Sequence, residues 1–395
     1  MPQTAEGRLR PLPRPLDGLR GAAPGGLAPR ADGTRLLADP LRGGAVPEVA
    51  DTNPAVNIAL SPVSVAAALT HLLLGSRNET RKNLEDTLHY SGRFLPCVHR
   101  TLSQLLNRSS TLTSASQLFY REGLCLEPNF IDRSTRFYAQ EPEALTSNAT
   151  ENIRAINDWV SHHTEGLIPK LVDSVPDDVV IMILNAVHYA GRWKSKFDKS
   201  LTKEEDFWLS SKESVRVPMM QSVSYPLTAV YSSALKSEVA KFQLFGKNSF
   251  IVIVPQENDQ TLRDLEMSLK AQDLKKVVDT LYQTNIFPRN VRLPRLKIDF
   301  TQELLQPLSG MGLNDALFSP NLCGLTVGSD MYISSATHRA FISLDEDGVE
   351  AAAGTSLAVG RTIAMFEATR PFLWLLWDDE LGYPIFMGRV LNPLL

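Results

Sequence analysis

Cysteine is scarce in this chain: Cys97, Cys125 and Cys323 are the only three in 395 residues. None stands in a C-x-x-C pair, which argues against zinc ribbons and thioredoxin-type redox chemistry. Long apolar runs are missing too, so no segment reads as a membrane span. Residues 369–377 are apolar, but Arg370 and Pro371 interrupt them, and the stretch reads as an edge or core strand. The first 30 residues lack the apolar centre of a signal peptide. Charge of one sign is not in excess. A net charge of −4 and a pI near 6.0 argue against a general nucleic-acid binder.

Signatures of catalysis are absent as well. The seven histidines are His71, His89, His99, His162, His163, His188 and His338. No G-x-S-x-G elbow precedes any of them, and no H-E-x-x-H occurs. His162 and His163 are adjacent, so on a helix they point about 100° apart and cannot share one metal. No phosphate-binding or dinucleotide glycine loop is present. Neither an enzyme nor a metal or cofactor site is expected.

A hydrophobic content of 43% over this length can bury a large core in one domain or two. Residues 1–50 are foreign to it. They hold 8 Pro and 8 Gly, a level at which low-complexity disorder is expected, and all 7 of their basic residues are Arg. Leu36, Leu37, Leu41 and Val46 are broken up by Pro40, Gly43 and Gly44, so no amphipathic helix is legible there. The expected division is a disordered Pro/Gly/Arg-rich segment over 1–50 and a folded domain over 51–395. Within the domain, 63–74 and 79–89 read as helices. Asn148 to Gly166 reads as an amphipathic helix, with Ile153, Ile156, Trp159, Val160 and His163 on one face. Val179 to Tyr189 reads as a strand buried on both faces. Paired strands follow over 230–254, a helix pair over 264–281, and a strand over 336–344. The sequons at Asn78, Asn107 and Asn148 permit glycosylation without proving it.

The most telling stretch runs from Leu344 to Glu367. Asp345, Glu346 and Gly348 lead into Val349, Glu350 and the small residues Ala351, Ala352 and Ala353, and Arg361–Thr362 lies further on. Helix propensity makes an ordinary helix the alternative for 350–353. Other motifs decide between them. Asn57-Ile-Ala-Leu-Ser61-Pro62-Val-Ser64, Asn157-Asp-Trp159-Val160, Leu184-Asn185-Ala186-Val187-His188-Tyr189 with Trp193, Val217-Pro218-Met219-Met220, Leu293-Pro294-Arg295 and Phe386-Met387-Gly388-Arg389 follow one another in a fixed order. Together they resemble the serpins, over about 340 residues.

The resemblance implies an α+β serpin fold: a large mixed central sheet, further sheets, eight or nine helices and an exposed reactive loop at about 347–366. It implies a suicide-substrate inhibitor of serine proteases, with Arg361–Thr362 as the bait bond and Glu346, Gly348, Val349, Glu350 and Ala351 to Ala353 as the hinge. Val349, Ala351, Ala353 and Thr355 would turn inward once the loop enters the sheet, with Glu350, Ala352 and Gly354 outward. Ser61, Ser64, Asn185 and His338 would form a polar cluster under the sheet. Trp193, Arg295 and Glu346 would stand where insertion begins, with an Arg295–Glu346 ion pair.

Phe94-Leu-Pro-Cys97-Val98-His99, Asn321-Leu-Cys323-Gly-Leu-Thr326 and a loop one residue short resemble the branch that controls complement and contact-pathway proteases. Trypsin-like enzymes are the implied partners: complement components 1r and 1s, plasma kallikrein and factor XIIa. Glycosaminoglycans are kept as a further candidate, although no Lys/Arg-rich helix stands out over 94–125. An antithrombin-like inhibitor and a non-inhibitory carrier or chaperone are the alternatives. A secreted monomeric glycoprotein is implied. In that branch the positions of Cys97 and Cys323 bond to cysteines in an N-terminal segment, and none precedes Cys97 here. Cys125 is expected as a buried free thiol. The helix that the family places before Asn57 is not found. The N-terminus is therefore either divergent or an artefact of a misread start, the second being expected, and residues 1–50 are expected to add nothing to the fold.

Overall fold

A computed structural model describes residues 45–90, 95–106, 112–256, 261–328, 331–350 and 364–395. Its helices of seven residues or more are α1 (Ala45–Thr52), α2 (Pro62–Gly75), α3 (Asn78–Thr87), α4 (Leu95–Leu106), α5 (Pro128–Tyr138), α6 (Ala149–His163), α7 (Leu262–Ser268) and α8 (Ala271–Gln283). Its strands are β1 (Ile58–Leu60), β2 (Leu112–Arg121), β3 (Glu143–Leu145), β4 (Ile181–Ala190), β5 (Trp193–Ser195), β6 (Lys203–Trp208), β7 (Ser214–Ser232), β8 (Ser237–Gln243), β9 (Asn248–Pro255), β10 (Phe287–Pro294), β11 (Leu296–Glu303), β12 (Ile333–Leu344), β13 (Gly348–Glu350), β14 (Met365–Glu367), β15 (Phe372–Asp378) and β16 (Tyr383–Val390).

Local chemistry accounts for the main elements. Helix α2 starts on Pro62, which tolerates the first helical position. Every residue of it is buried, as expected of a helix apolar on all sides. Helix α6 is capped by the Asn148 side chain, which accepts from the N–H groups of Thr150 and Glu151. Helix α8 buries Leu274, Val277, Val278 and Leu281, an i, i+3, i+4, i+7 stripe. Strand β4 buries nine of its ten residues, which fits a strand covered on both faces. The apolar stretch near 369–377 is core rather than edge: β15 lies between β16 and β9.

Two large sheets and one small ribbon result. Nine strands form one sheet, in the order β1-β16-β15-β9-β8-β7-β10-β14 with β6 on β7. Five strands form a mixed sheet, β11-β12-β4-β2-β3. Strands β12 and β4 pair directly and in parallel, with His338 level with Asn185. Ribbon β13-β5 stands where β4 ends and the chain leaves β12.

Helix α1 corrects the sequence reading, which put its first six residues in the disordered segment. Val49 and Ala50 are buried in the main core, at 1% and 2% exposure. The signal was missed because eight residues give only two turns of periodicity, and Pro47 falls in the first of them. Pro is tolerated there, but it hides the pattern. Tertiary contacts hold the helix instead. Asp51 pairs with Arg263 at 3.0 Å, and Asn53 Nδ2, just past the helix, donates to Gln302 Oε1 at 2.5 Å. The folded domain thus reaches at least to residue 45. Residues 1–44 lie outside the described ones.

Candidate functional site

The polar cluster is assembled where β4 and β12 meet above α2. Ser61, Ser64, Asn185 and His338 are each at most 1% exposed. The Ser61 N–H donates to His338 Nε2 at 3.1 Å, so Nε2 carries no proton. The proton is then on Nδ1, which donates to Asn185 Oδ1 at 2.7 Å. Ser64 Oγ lies 2.8 Å from the same Oδ1 and 3.1 Å from the Ser61 carbonyl. Ser61 Oγ donates to the Ile385 carbonyl at 2.8 Å. Burial holds the His338 imidazole neutral, with its pKa lowered to about 3. Asn185 Nδ2 is buried without a partner among the described residues.

The second cluster sits at the exit of β12. Trp193 is fully buried against the rings of Phe197, Phe242 and Phe250, and its indole N–H donates to the Asp345 carbonyl. Two more backbone bonds tie the same turn: Trp193 N–H to Asp347 O at 3.0 Å and Phe197 N–H to Glu346 O at 3.1 Å. The Glu346 side chain is buried. Its Oε1 accepts from Arg295 Nε and Nη2, both at 2.7 Å, and from Thr202 Oγ1 at 2.6 Å. Burial pushes its pKa up, but the bonds from Arg295 and Thr202 outweigh that and hold it below the ordinary value. The carboxylate is therefore ionised. Lys199 and Asp347 pair at 2.8 Å on the exposed side and contribute little.

From this anchor the chain enters β13, whose Gly348 is level with Trp193 and Glu350 with Ser195. A Cβ on Gly348 would fall 2.6 Å from Lys196 Cα, so only glycine lets the two strands meet. Val349 is 49% exposed in this arrangement, on the outer face. The side chain of Glu350, residues Ala351 to Ala353, and Arg361 and Thr362 lie outside the described residues. The chain is described again from Ala364, and β14 joins β10 in parallel, Met365 level with Asn290.

Sequence reasoning thus placed Ser61, Ser64, Asn185 and His338 in one cluster, and Trp193, Arg295 and Glu346 in another. It missed Thr202, which lies 144 residues from Glu346 and carries no motif. It was wrong about Cys125. That thiol is exposed, as are those of Cys97 and Cys323. The backbone, not the side chain, is engaged at Cys125: its carbonyl accepts from Thr326 Oγ1 at 2.7 Å. Asn78 and Asn148 are exposed at helix starts, and Asn107 lies outside the described residues.

A mixed sheet whose two central parallel strands meet over a buried Ser–Asn–His cluster, with an anchored turn at one end, defines a particular class. The family described as "Serpin (serine protease inhibitor)" matches residues 45–393, and the chain belongs to it. Among curated relatives it is similar to the "Plasma protease C1 inhibitor" of Homo sapiens, 36% identical over 337 residues, 85% of this chain and 67% of that one. It is equally similar to the "Factor XIIa inhibitor" of Bos taurus, 37% identical over 337 residues, 85% of this chain and 70% of that one. The chain spans about two thirds of the length of these relatives. The crystal structure of mouse protein-Z dependent protease inhibitor shares the fold, with a TM-score of 0.81, 22% identity, and coverage of 92% of this chain and 98% of that one.

Proposed function

We propose that this chain inhibits Arg-specific serine proteases as a suicide substrate, cleaved between Arg361 and Thr362. The observation that carries the reading is the direct parallel pairing of β12 with β4, beside a hinge strand already seated on β5. The sheet is in the form that still has room for a strand.

The protease serine attacks the Arg361 carbonyl carbon. The bond to the Thr362 nitrogen breaks, that nitrogen takes the proton, and an acyl-enzyme remains. Cleavage frees the segment before Arg361. It can then add between β4 and β12 as a new strand, a form of β-augmentation. The His338–Asn185 bond lies across that slot, and Asn185 Nδ2 is a donor in reserve there. Insertion carries the attached enzyme away before water completes deacylation, and the starting fold supplies the driving strain.

The printed names of the relatives, a C1 inhibitor and a factor XIIa inhibitor, support complement and contact-pathway proteases as the targets. The same names support secretion into plasma. The test is incubation with complement component 1s protease, followed by denaturing electrophoresis and sequencing of the released fragment. A complex that survives SDS, with a 34-residue fragment beginning at Thr362 (395 − 361), is expected. Clean cleavage without a complex would instead favour a non-inhibitory serpin.

A further inference from the structure

We infer that a cleft beside Trp208, between the turn joining β6 to β7 and the start of α7, binds an amphipathic organic anion: a flat apolar body carrying an anionic oxygen group. The cleft measures about 730 Å³, within the range of about 300–1,000 Å³ that small-molecule sites occupy. Its walls come from segments far apart in the chain. Trp208 and Leu209 stand on the β6–β7 turn, Pro255 ends β9, and Leu262 and Arg263 open α7. Arg370 and Pro371 lie on the link between β14 and β15, and Leu391 follows β16.

Hydrogen bonds set these segments against one another. The Trp208 N–H donates to the Thr369 carbonyl at 2.8 Å. The N–H groups of Leu209 and Ser210 donate to the Glu213 carbonyl at 2.9 and 3.2 Å, which closes the turn. Arg370 Nε donates to the Pro255 carbonyl at 3.0 Å and so fixes the plane of its guanidinium at the wall. Pro255 and Leu262 are buried, and Leu209, Pro371 and Leu391 are half-buried, which makes an apolar floor. The Trp208 side chain stands beside that floor 47% exposed, although its neighbour Phe207 is fully buried. A large aromatic ring in water next to an apolar floor offers a stacking face to a flat ligand.

Charge selects the other end of the ligand. The charged groups lining the cleft are two guanidiniums, Arg263 and Arg370, and one carboxylate, Glu367. Glu367 already faces Arg292 at 3.2 Å. Asp264, next to Arg263 in the chain, accepts from the Thr261 N–H at 2.9 Å and from the Thr261 hydroxyl at 2.7 Å. Asp51 takes Nη2 of Arg263 at 3.0 Å. A guanidinium presents five N–H donors in a planar fork, so this pair leaves donors of Arg263 for a second acceptor. Carboxylate, sulfate and sulfonate oxygens match that fork, and a cationic ligand would be repelled by it. The cleft shares no residue with the hinge or the two polar clusters, so the inference does not rest on the reading of Arg361.

The test titrates the full chain with two dyes. Anilinonaphthalene sulfonate is an aromatic sulfonate that fluoresces when shielded from water, and phenylnaphthylamine has the same rings without the charge. Dissociation constants are compared for the unaltered chain, Trp208→Ala, Trp208→Phe and Arg263→Gln, with melting temperatures in parallel. Saturable binding of the sulfonate at a single site is expected. Trp208→Ala should weaken it by about tenfold or more, and Trp208→Phe, which keeps a ring, by much less. Arg263→Gln should weaken the sulfonate by a similar factor and leave the uncharged dye unchanged. Melting temperatures should hold; if Trp208→Ala melts early, the two dyes on Arg263→Gln decide alone. Constants that ignore both Trp208→Ala and Arg263→Gln would place the dye elsewhere and overturn the inference. Equal affinity for the two dyes, or no saturable binding, would overturn it as well. Protease trapping is not part of the measurement, so failure here leaves the reading of Arg361 standing.

Discussion

His338 Nδ1 donates to Asn185 Oδ1 across 2.7 Å, from β12 to β4, the two strands that insertion must part. The bond is made by a neutral imidazole whose other nitrogen is already occupied by the Ser61 N–H. Its proton inventory is therefore fixed, and acid works against it.

The first prediction concerns pH. His338 stays neutral in the fold to about pH 3, while an unfolded histidine titrates near 6.5. Between those values the unfolded chain binds the extra proton, so stability falls as pH falls through that window. His71, held at about 3 by burial and then by His99, and His99, held at about 4 by burial and then by Arg133 and Arg81, act in the same direction. Each contributes about 1.4 kcal/mol per pH unit inside the window. Melting temperature should decline steadily from about pH 6.5 downward. His338→Ala should cost about 2–4 kcal/mol at neutral pH through the orphaned Ser61 N–H and the cavity left by the ring. A melting temperature flat from neutral to pH 4 would contradict the neutral assignment.

The second prediction concerns the bait. Arg361→Ala should abolish complexes with trypsin-like enzymes by a factor of about 10⁴–10⁵, because their acidic pocket is left unpaired. The melting temperature should not move. Normal inhibition by this variant would remove Arg361 from its role.

A third prediction concerns the hinge. Ala351→Glu should turn the inhibitor into a substrate. Its carboxylate would have to enter the core unpaired, at several kcal/mol, and insertion would lose the race with deacylation. Electrophoresis should show cleaved chain and free enzyme. Complexes at the yield of the unaltered chain would mean that residue 351 does not turn inward.

The fourth prediction concerns the anchor of α1. Arg389 Nη1 donates to both Glu266 oxygens, at 3.0 and 2.9 Å, its Nε donates to Val56 O at 3.2 Å, and its Nη2 donates to Asn53 O. Both ionised side chains are only 3% exposed. Arg389→Met should cost about 3–5 kcal/mol by stranding the carboxylate, and Arg389→Met/Glu266→Leu should recover much of it. Burial already pushes the Glu266 pKa up, and Arg389 opposes that. Once Arg389 is gone the folded pKa rises further above the unfolded value, so the single variant's deficit should shrink as pH falls toward 4. Denaturant melts at two pH values decide it.

Much of this was legible because serpin motifs keep their order. Ser61, Asn185 and His338 could be grouped although 277 residues separate the first from the last. Helices α6 and α8 and strand β4 announced themselves by period and composition. What escaped notice is what only tertiary contact decides. Helix α1 is too short to show a period, and Thr202 meets Glu346 from a distant loop. Cys125 escaped for the opposite reason. The burial habit of cysteine was trusted where the chain needed only the carbonyl.

The seated hinge has a consequence in plain length. Strand β13 is paired with β5, outside the slot between β4 and β12, so the segment still to be threaded runs from Gly348 to Arg361, fourteen residues or about 46 Å of strand. The slot is framed by β4 with ten residues and β12 with twelve. The rod is thus at least as long as its sleeve, and a bound enzyme would be hauled from one end of the sheet to the other. Shortening the loop by three or four residues should leave the bait attractive and the haul incomplete, giving a shorter-lived complex of the same composition.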